Sequence, residues 1–278
     1  MKGETTIHPS AVVEKGAELG VGVRIGPFCH VSAEAVLGDN VELISHATIL
    51  GATTLGADCQ VYPTAVLGGA PQNHKHRGGP TTLTVGRGCV IREGATLHRG
   101  TDTSRGKTTV GDNCLFMAYS HVAHDCDVGS SVTMANYACL GGHVTLGDGV
   151  IMSGYAAVHQ FVRIGHHAFL AGFAAVVGDV IPYGMAVGDR AKLRGLNVIG
   201  MKRAGMQRSE LMQIRQAYRL LFSEERPLTE NIQLVREQFA DSAAVIDILD
   251  FMSGRERKYL TLPAHGSSAD EEDEPGDE

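Results

Sequence analysis

Histidine recurs in this chain at a spacing that could build a reaction centre. Thirteen histidines are spread over 278 residues, and His98, His124, His143 and His159 follow the aliphatic residues Leu97, Val122, Leu140 and Val158 by one, two, three and one positions. The string Ser120-His121-Val122-Ala123-His124-Asp125-Cys126 is the densest part, and Gln160 stands beside His159. A neutral imidazole can act as a general base near pH 7. Several imidazoles together can instead hold zinc. A single histidine would read as part of a solvated polar face, but four on successive turns of one surface point to a site.

That surface exists only if the chain stacks in a fixed register, and its repeats supply one. From Ile7 to Leu67 an aliphatic residue returns every six positions (Ile7, Val13, Leu19, Ile25, Val31 and onward). A small or β-branched residue such as Ala11, Ala17, Val23 or Cys29 follows four places later. No helix has that period, whereas a short strand and a corner do, and units of this kind bury their apolar faces only by stacking. The pattern resumes at Val85, Ile91 and Leu97, and again from Val110 to Val176.

If Ile7, Val13 and Leu19 open walls A, B and C of a triangular prism, Leu67 falls on wall B. An insertion then leaves over 68–78, and a degenerate unit at 79–84 brings Val85 to wall A. A second insertion leaves over 102–109. This count predicts Leu97, Val122, Leu140 and Val158 on wall C, with strands about 4.8 Å apart and both insertions near their histidines. Val122 and Cys126 point inward in this register, so His124 faces out.

Composition agrees with a thin solenoid. Trp is absent, aromatics are 5% and Gly reaches 35, as tight corners and a narrow interior require. The net charge of −7 comes from the seven acids between Asp270 and Glu278, so residues 1–266 balance at 24 bases and 24 acids. That run reads as a disordered acidic tail over 265–278. Five of six cysteines (Cys29, Cys59, Cys89, Cys114, Cys126) occupy the small inward slot, which makes them core fillers rather than disulfides or metal ligands. No signal peptide or long apolar run is visible, so a cytoplasmic protein without stable membrane insertion is expected. Bases do not interleave with aromatics as a nucleic-acid groove requires.

Past residue 190 the period becomes helical. Leu211, Ile214, Tyr218 and Leu221 form a stripe with Ser209 as N-cap; Pro227 ends it; Thr229 and Ser242 cap two further helices. The expected division is 1–190 for the solenoid and 191–264 for a helical domain closing its open end, where bare strand edges would aggregate.

The repeats resemble those of the hexapeptide-repeat acyltransferases, which implies an all-β left-handed parallel β-helix. Thr96-Leu97-His98-Arg99-Gly100, His121 to Cys126, Gly142-His143-Val144, Ala157 to Phe161 and Gly195-Leu196-Asn197 resemble more closely the UDP-N-acetylglucosamine acyltransferases of lipid A synthesis. The resemblance implies transfer of a 3-hydroxyacyl chain from acyl carrier protein to position 3 of the sugar, by a cofactor-free homotrimer with its site between subunits. It makes His124 the general base, Asp125 its orienting partner and the Gly142 N–H the donor to the oxyanion. His98, His121, His143, His159 and Gln160 become substrate contacts, with Gln72 and Lys75 on the first insertion and Asn197 and Arg203 at the nucleotide. Gly172 matches a chain-length position open to longer acyl groups.

Three residues depart from the resemblance: Asn73 replaces an expected Asp, Ile199 a Glu and Ala204 an Arg. The loss of the carboxylate at 73 raises a 3-amino sugar nucleotide, with an amide product, as an alternative acceptor. The rivals on the same fold are a zinc protein resembling the γ-carbonic anhydrases and an acyltransferase using coenzyme A. A structural scaffold is the non-enzyme rival, and it predicts no aligned polar wall. Lys192, Arg194, Lys202, Arg203, Arg208, Arg215 and Arg219 offer a basic surface to an acidic carrier.

Overall fold

The computed structural model describes residues 3–254 and 259–264, so the acidic run at 265–278 lies outside the described residues. Most hexapeptides become a two-residue strand and a corner, and the strands line up in three sheets of a parallel β-helix. Wall A runs from Thr6–Ile7 to an antiparallel closing pair, Gly184–Val187 with Lys192–Leu196. Wall B runs from Val12–Val13 to Ala175–Val176, and wall C from Glu18–Leu19 to Arg163–Ile164.

Like residues stack on like: Ile7 pairs with Ile25, Ile25 with Leu43, and Leu97 with Val122. The aliphatics and the small residues four places later fill the interior, and the five inward cysteines lie there as free thiols. Burying each large aliphatic contributes about 1.5–3 kcal/mol. The first coil has a neighbour on one side only, which leaves its inward Ile7 46% exposed. Corners are tight: the third residue after the inward aliphatic takes φ near +60°, as at Asn40, Asp58, Asn113, Asp125 and His143. Gly, Asn and Asp enter that region most cheaply, which explains their recurrence in the repeat.

The wall count from sequence needs correction. Val85 pairs with Leu55 and Val110, so all three lie on wall C, and Leu97, Val122, Leu140 and Val158 lie on wall B with Leu67. Residues 79–84 are no unit of their own. They return the chain from the insertion and begin the four-residue strand Thr82–Val85. Both insertions leave where wall B turns into wall C and displace no wall.

Among the described residues four helices follow: α1 (Val198–Arg203), α2 (Arg208–Leu221), α3 (Leu228–Gln238) and α4 (Ala243–Ser253). The sequence reading missed α1, and its caps differ. Gln207 and Pro227 occupy the N-cap positions of α2 and α3, so Ser209 and Thr229 lie inside the helices. Ser242 is at the N-cap of α4, but its hydroxyl bonds Gln213 Oε1 at 3.0 Å instead of the helix N–H groups. No helix among the described residues is long and apolar enough to cross a membrane.

One arginine joins prism and helices. Arg163, on wall C, donates to Asp179 from Nε and Nη2 (2.9 and 2.8 Å), and to the Phe251 and Gly254 carbonyls at the end of α4 (3.0 and 2.9 Å). Its guanidinium also lies 4.5 Å over the Phe251 ring. Removing it leaves the Asp179 side chain, 10% exposed, without its cation. Arg163→Ala is expected to cost about 3 kcal/mol, and hydrogen exchange should show α4 amides losing protection while mid-prism amides keep theirs.

Candidate active site

The site forms at the B/C corner, where the repeat dictates which side chains leave the prism. Val122 and Cys126 are buried, which forces His124 outward and gives Asp125 a φ of 59°. His124 Nδ1 and Asp125 Oδ2 are 2.9 Å apart, and the Asp125 side chain is 0% exposed. A carboxylate only accepts, so Nδ1 carries the proton and Nε2 keeps its lone pair. Asn73, from the first insertion, supports the same tautomer. Its Oδ1 accepts the Lys75 N–H at 2.9 Å, which orients the amide so that Nδ2 faces His124 Nε2 at 3.3 Å.

Asp125 is held from the other side by residues that the sequence reading did not single out. Thr101, fully buried, donates its N–H to Oδ1 (3.1 Å) and its hydroxyl to Oδ2 (2.7 Å). The Thr108 hydroxyl accepts the Asp125 N–H at 2.9 Å, and Arg105 Nη1 reaches the Asp125 carbonyl at 3.4 Å. Burial pushes the Asp125 carboxyl up, but the Thr101 hydroxyl, His124 and the Thr101 N–H outweigh it and leave it below the usual carboxylate value. The only sequence signal for these residues was that Thr101 and Thr108 bracket the second insertion.

The insertions are strapped together over this corner. Asp102 accepts from the N–H groups of Arg77 and Gly79 (3.0 and 2.9 Å) and meets His76 Nδ1 at 3.0 Å. His143, one coil on, sits edge-to-face with His124 (centroids 5.1 Å), approaches Asp125 Oδ2 at 3.8 Å and stacks on Phe161 at 4.3 Å. Gly142 lies against the His124 ring: a Cβ there would come within 2.5 Å of Cε1. Only glycine lets that backbone approach so closely.

On the other side of His124 the rings of His98 and His121 meet edge-on at 5.1 Å, and His121 Nδ1 lies 2.7 Å from the Thr96 hydroxyl. Burial pushes His98 down, with the neighbouring His124 adding to it. Burial, then His98 and His124, carry His121 down to about 4. Nδ1 of His98 is buried without a hydrogen-bond partner. The histidine row is thus two pairs rather than one stack of four. His159 and Gln160 are exposed further along, His159 Nδ1 facing the Gln160 carbonyl at 3.2 Å.

The other expected residues make no side-chain hydrogen bond to His124 among those described. Gln72 and Lys75 are exposed on the first insertion, Gly172 is exposed at the A/B corner, and Arg203 is exposed in the last turn of α1. Asn197 caps α1 by accepting the Gly200 N–H at 3.0 Å and donates to the His167 carbonyl at 2.9 Å. Among the described residues, one group of side chains is close enough to share a cation: His124, Asp125 and His143, with ligand atoms within 4.8 Å of one another. An ion there would compete with the His124 and Thr101 bonds to Asp125.

Two predictions come from this geometry. Thr101→Val removes the hydroxyl bond to Asp125 but keeps the N–H, and should lower kcat about tenfold with little change in KM; Thr101→Ser should restore it. The second concerns pH. His121 stays neutral in the fold down to about pH 4, while the unfolded chain takes up that proton near pH 6.5. Stability from this group is therefore intact above 6.5 and lost, by roughly 3 kcal/mol, as pH falls through that window. Denaturation of His121→Gln should show a shallower loss between pH 6.5 and 4.

Comparison with known proteins places these features in context. Residues 179–260 match the second-domain family described as UDP N-acetylglucosamine O-acyltransferase. The acyl-[acyl-carrier-protein]–UDP-N-acetylglucosamine O-acyltransferase of Mesorhizobium japonicum is 58% identical over 277 residues, covering 98% of this chain and 99% of that protein. The protein of that name from Brucella ovis is 54% identical over 275 residues, covering 98% and 99%. Among solved structures, the UDP-N-acetylglucosamine acyltransferase of Francisella novicida superposes with a TM-score of 0.90 at 33% identity, over 94% of this chain and 95% of that one. The Campylobacter jejuni enzyme gives 0.87 at 36%, over 93% and 100%.

Proposed function

We infer the reaction from one premise: the chain belongs to the acyl-[acyl-carrier-protein]–UDP-N-acetylglucosamine O-acyltransferase family, acyltransferases on a left-handed parallel β-helix. The reaction is transfer of a 3-hydroxyacyl chain from acyl carrier protein to position 3 of the sugar of UDP-N-acetylglucosamine, the first step of lipid A synthesis, carried out in the cytoplasm. The observation that carries the reading is the Asp125–His124 hydrogen bond, which leaves a lone pair on Nε2 facing the first insertion.

Nε2 takes the proton of the sugar hydroxyl as its oxygen adds to the thioester carbonyl. The carbonyl oxygen becomes an oxyanion beside the Gly142 N–H. Collapse breaks the carbon–sulfur bond, and the departing thiolate of the carrier takes the proton back from His124. Asp125, held by Thr101, keeps the imidazolium oriented during the interval. His98, His121 and His143 line the sugar and acyl groups, with Gln72 and Lys75 over them. His159, Gln160, Asn197 and Arg203 serve the nucleotide and Gly172 the chain length, contributed across a cleft between subunits of a homotrimer. The Thr101 bonds to Asp125 favour this hydrogen-bonded pair over a zinc site. Residues 1–190 act as the catalytic domain and 191–264 as the helical one.

Asn73 supports a second reading. A neutral amide stands beside the proton-accepting nitrogen where the family resemblance leads to an Asp, so the departure bears on the acceptor atom itself. The same transfer onto a 3-amino sugar nucleotide would give an amide.

The deciding assay uses 3-hydroxyacyl carrier proteins of several chain lengths with both nucleotides. Ester formation on the 3-hydroxy nucleotide is the expected result, and a strong preference for the amine establishes the second reading. His124→Ala should lose about 10²–10⁴-fold in turnover with its circular dichroism unchanged; near-normal turnover rules out His124 as the base.

A further inference from the structure

Three groups that meet at the B/C corner have the chemistry to hold something other than substrate. His124 Nδ1 lies 2.9 Å from Asp125 Oδ2, and His143 Nε2 lies 3.8 Å from the same oxygen. The ligand atoms of all three fall within 4.8 Å of one another. Four-coordinate zinc, with bonds of about 2.0–2.2 Å, sets its ligand atoms about 3.3 Å apart. Side-chain shifts of about half an ångström bring 2.9 and 3.8 Å to that value. Two imidazoles and one carboxylate suit zinc, whereas magnesium and calcium call for oxygen ligands.

The surroundings prepare each ligand. The Asp125 side chain is 0% exposed, while those of His124 and His143 are 11% and 17% exposed, so an ion would be screened by protein on one side and reachable from solvent at the imidazoles. Phe161 lies parallel to the His143 ring at 4.3 Å and fixes its plane. Ser104 Oγ stands 3.4 Å from His143 Nδ1 and offers an acceptor for a proton there, which leaves the Nε2 lone pair on the Asp125 side. The Thr101 hydroxyl uses one lone pair of Asp125 Oδ2, and the other faces His124 Nδ1. An ion that takes the second lone pair displaces the His124 N–H and shares Oδ2 with Thr101.

We propose that zinc binds His124, Asp125 and His143 as a reversible inhibitor of the transfer. The inference rests on the proposed role of His124 as the base and adds a regulator to that site. Metal on Nδ1 moves the ring proton to Nε2. The nitrogen that has to accept a proton from the sugar then carries one already. Asn73 Nδ2, 3.3 Å from Nε2, meets an N–H in place of a lone pair, and that repulsion pushes the first insertion off the corner. Binding gives up the His124–Asp125 hydrogen bond, so the ion competes with the working state and is no resident cofactor.

The test is calorimetric titration of the full chain with zinc chloride, in the absence of substrate, on the wild type, His143→Gln, Asp125→Asn and His166→Gln. His166 makes a histidine–aspartate pair outside the site, with Asp247 at 2.6 Å, and serves as the control. The wild type and His166→Gln should bind one zinc per chain with equal affinity. His143→Gln should bind at least about tenfold more weakly with its circular dichroism unchanged. Asp125→Asn should do the same, and His143→Gln decides the matter if the Asn variant does not fold. Transfer by the wild type should fall as the site fills and return when EDTA removes the ion. A wild type that binds no zinc, His143→Gln with wild-type affinity, or a zinc-filled enzyme with undiminished transfer would each overturn the proposal. The titration contains no substrate, so an absence of transfer in zinc-free protein counts against the proposed reaction, while the titration alone decides the zinc site.

Discussion

The stacking of each coil on the one before it is the constraint on which the rest depends. A residue on wall A, B or C donates its N–H to, or accepts from, the residue one coil away, at close to 2.8–3.0 Å through the prism. Such a ladder tolerates no slip, because a one-residue shift would turn every inward aliphatic outward. Function inherits that rigidity. His124 and His143 are neighbours because Val122 and Leu140 are register partners, and Asp125 faces Thr101 because Leu97 pairs with Val122.

This explains what could be read without coordinates. The period of six identifies inward residues, so the burial of Val122 and Cys126 and the outward turn of His124 were legible from spacing alone. The identity of the wall was not. A period counts units and says nothing about whether an insertion consumes one, so 79–84 passed for a repeat when it holds a loop return and the start of a strand. A signal was present. Ala52–Leu55, Thr82–Val85 and Lys107–Val110 pair with one another as four-residue strands, and all three carry the alternation of outward and inward residues that a longer strand requires. That shared pattern follows each departure from wall B and places Val85 and Val110 on wall C.

The second shortfall has a different cause. Arg105 belongs to the insertion, Thr101 and Thr108 stand at its two ends, and the contacts of all three depend on how that loop folds back over the corner. Asn73 is similar: its type was informative, but its approach to Nε2 depends on Asp102 fastening the first insertion to the second. The two missed helix caps share that origin, since Ser209 and Thr229 suit a cap chemically while the N-caps of α2 and α3 lie two residues earlier, and Ser242 takes the expected place but turns its hydroxyl to Gln213. Local preference yields to the path set by packing.

Strain and charge at the reacting corner are affordable for the same structural reason. Positive φ at Asp125 and His143 costs about 1–2 kcal/mol each, and a buried carboxylate costs more unless hydrogen bonds meet it. The aliphatic columns above and below offset the first, and Thr101 and His124 meet the second. Burial also keeps His98 and His121 neutral. They can therefore offer hydrogen bonds to a substrate without adding positive charge that would draw Asp125 away from His124. His124 meets the buried Asp125 carboxylate directly, at 2.9 Å, the arrangement that the proposed proton transfer at Nε2 requires.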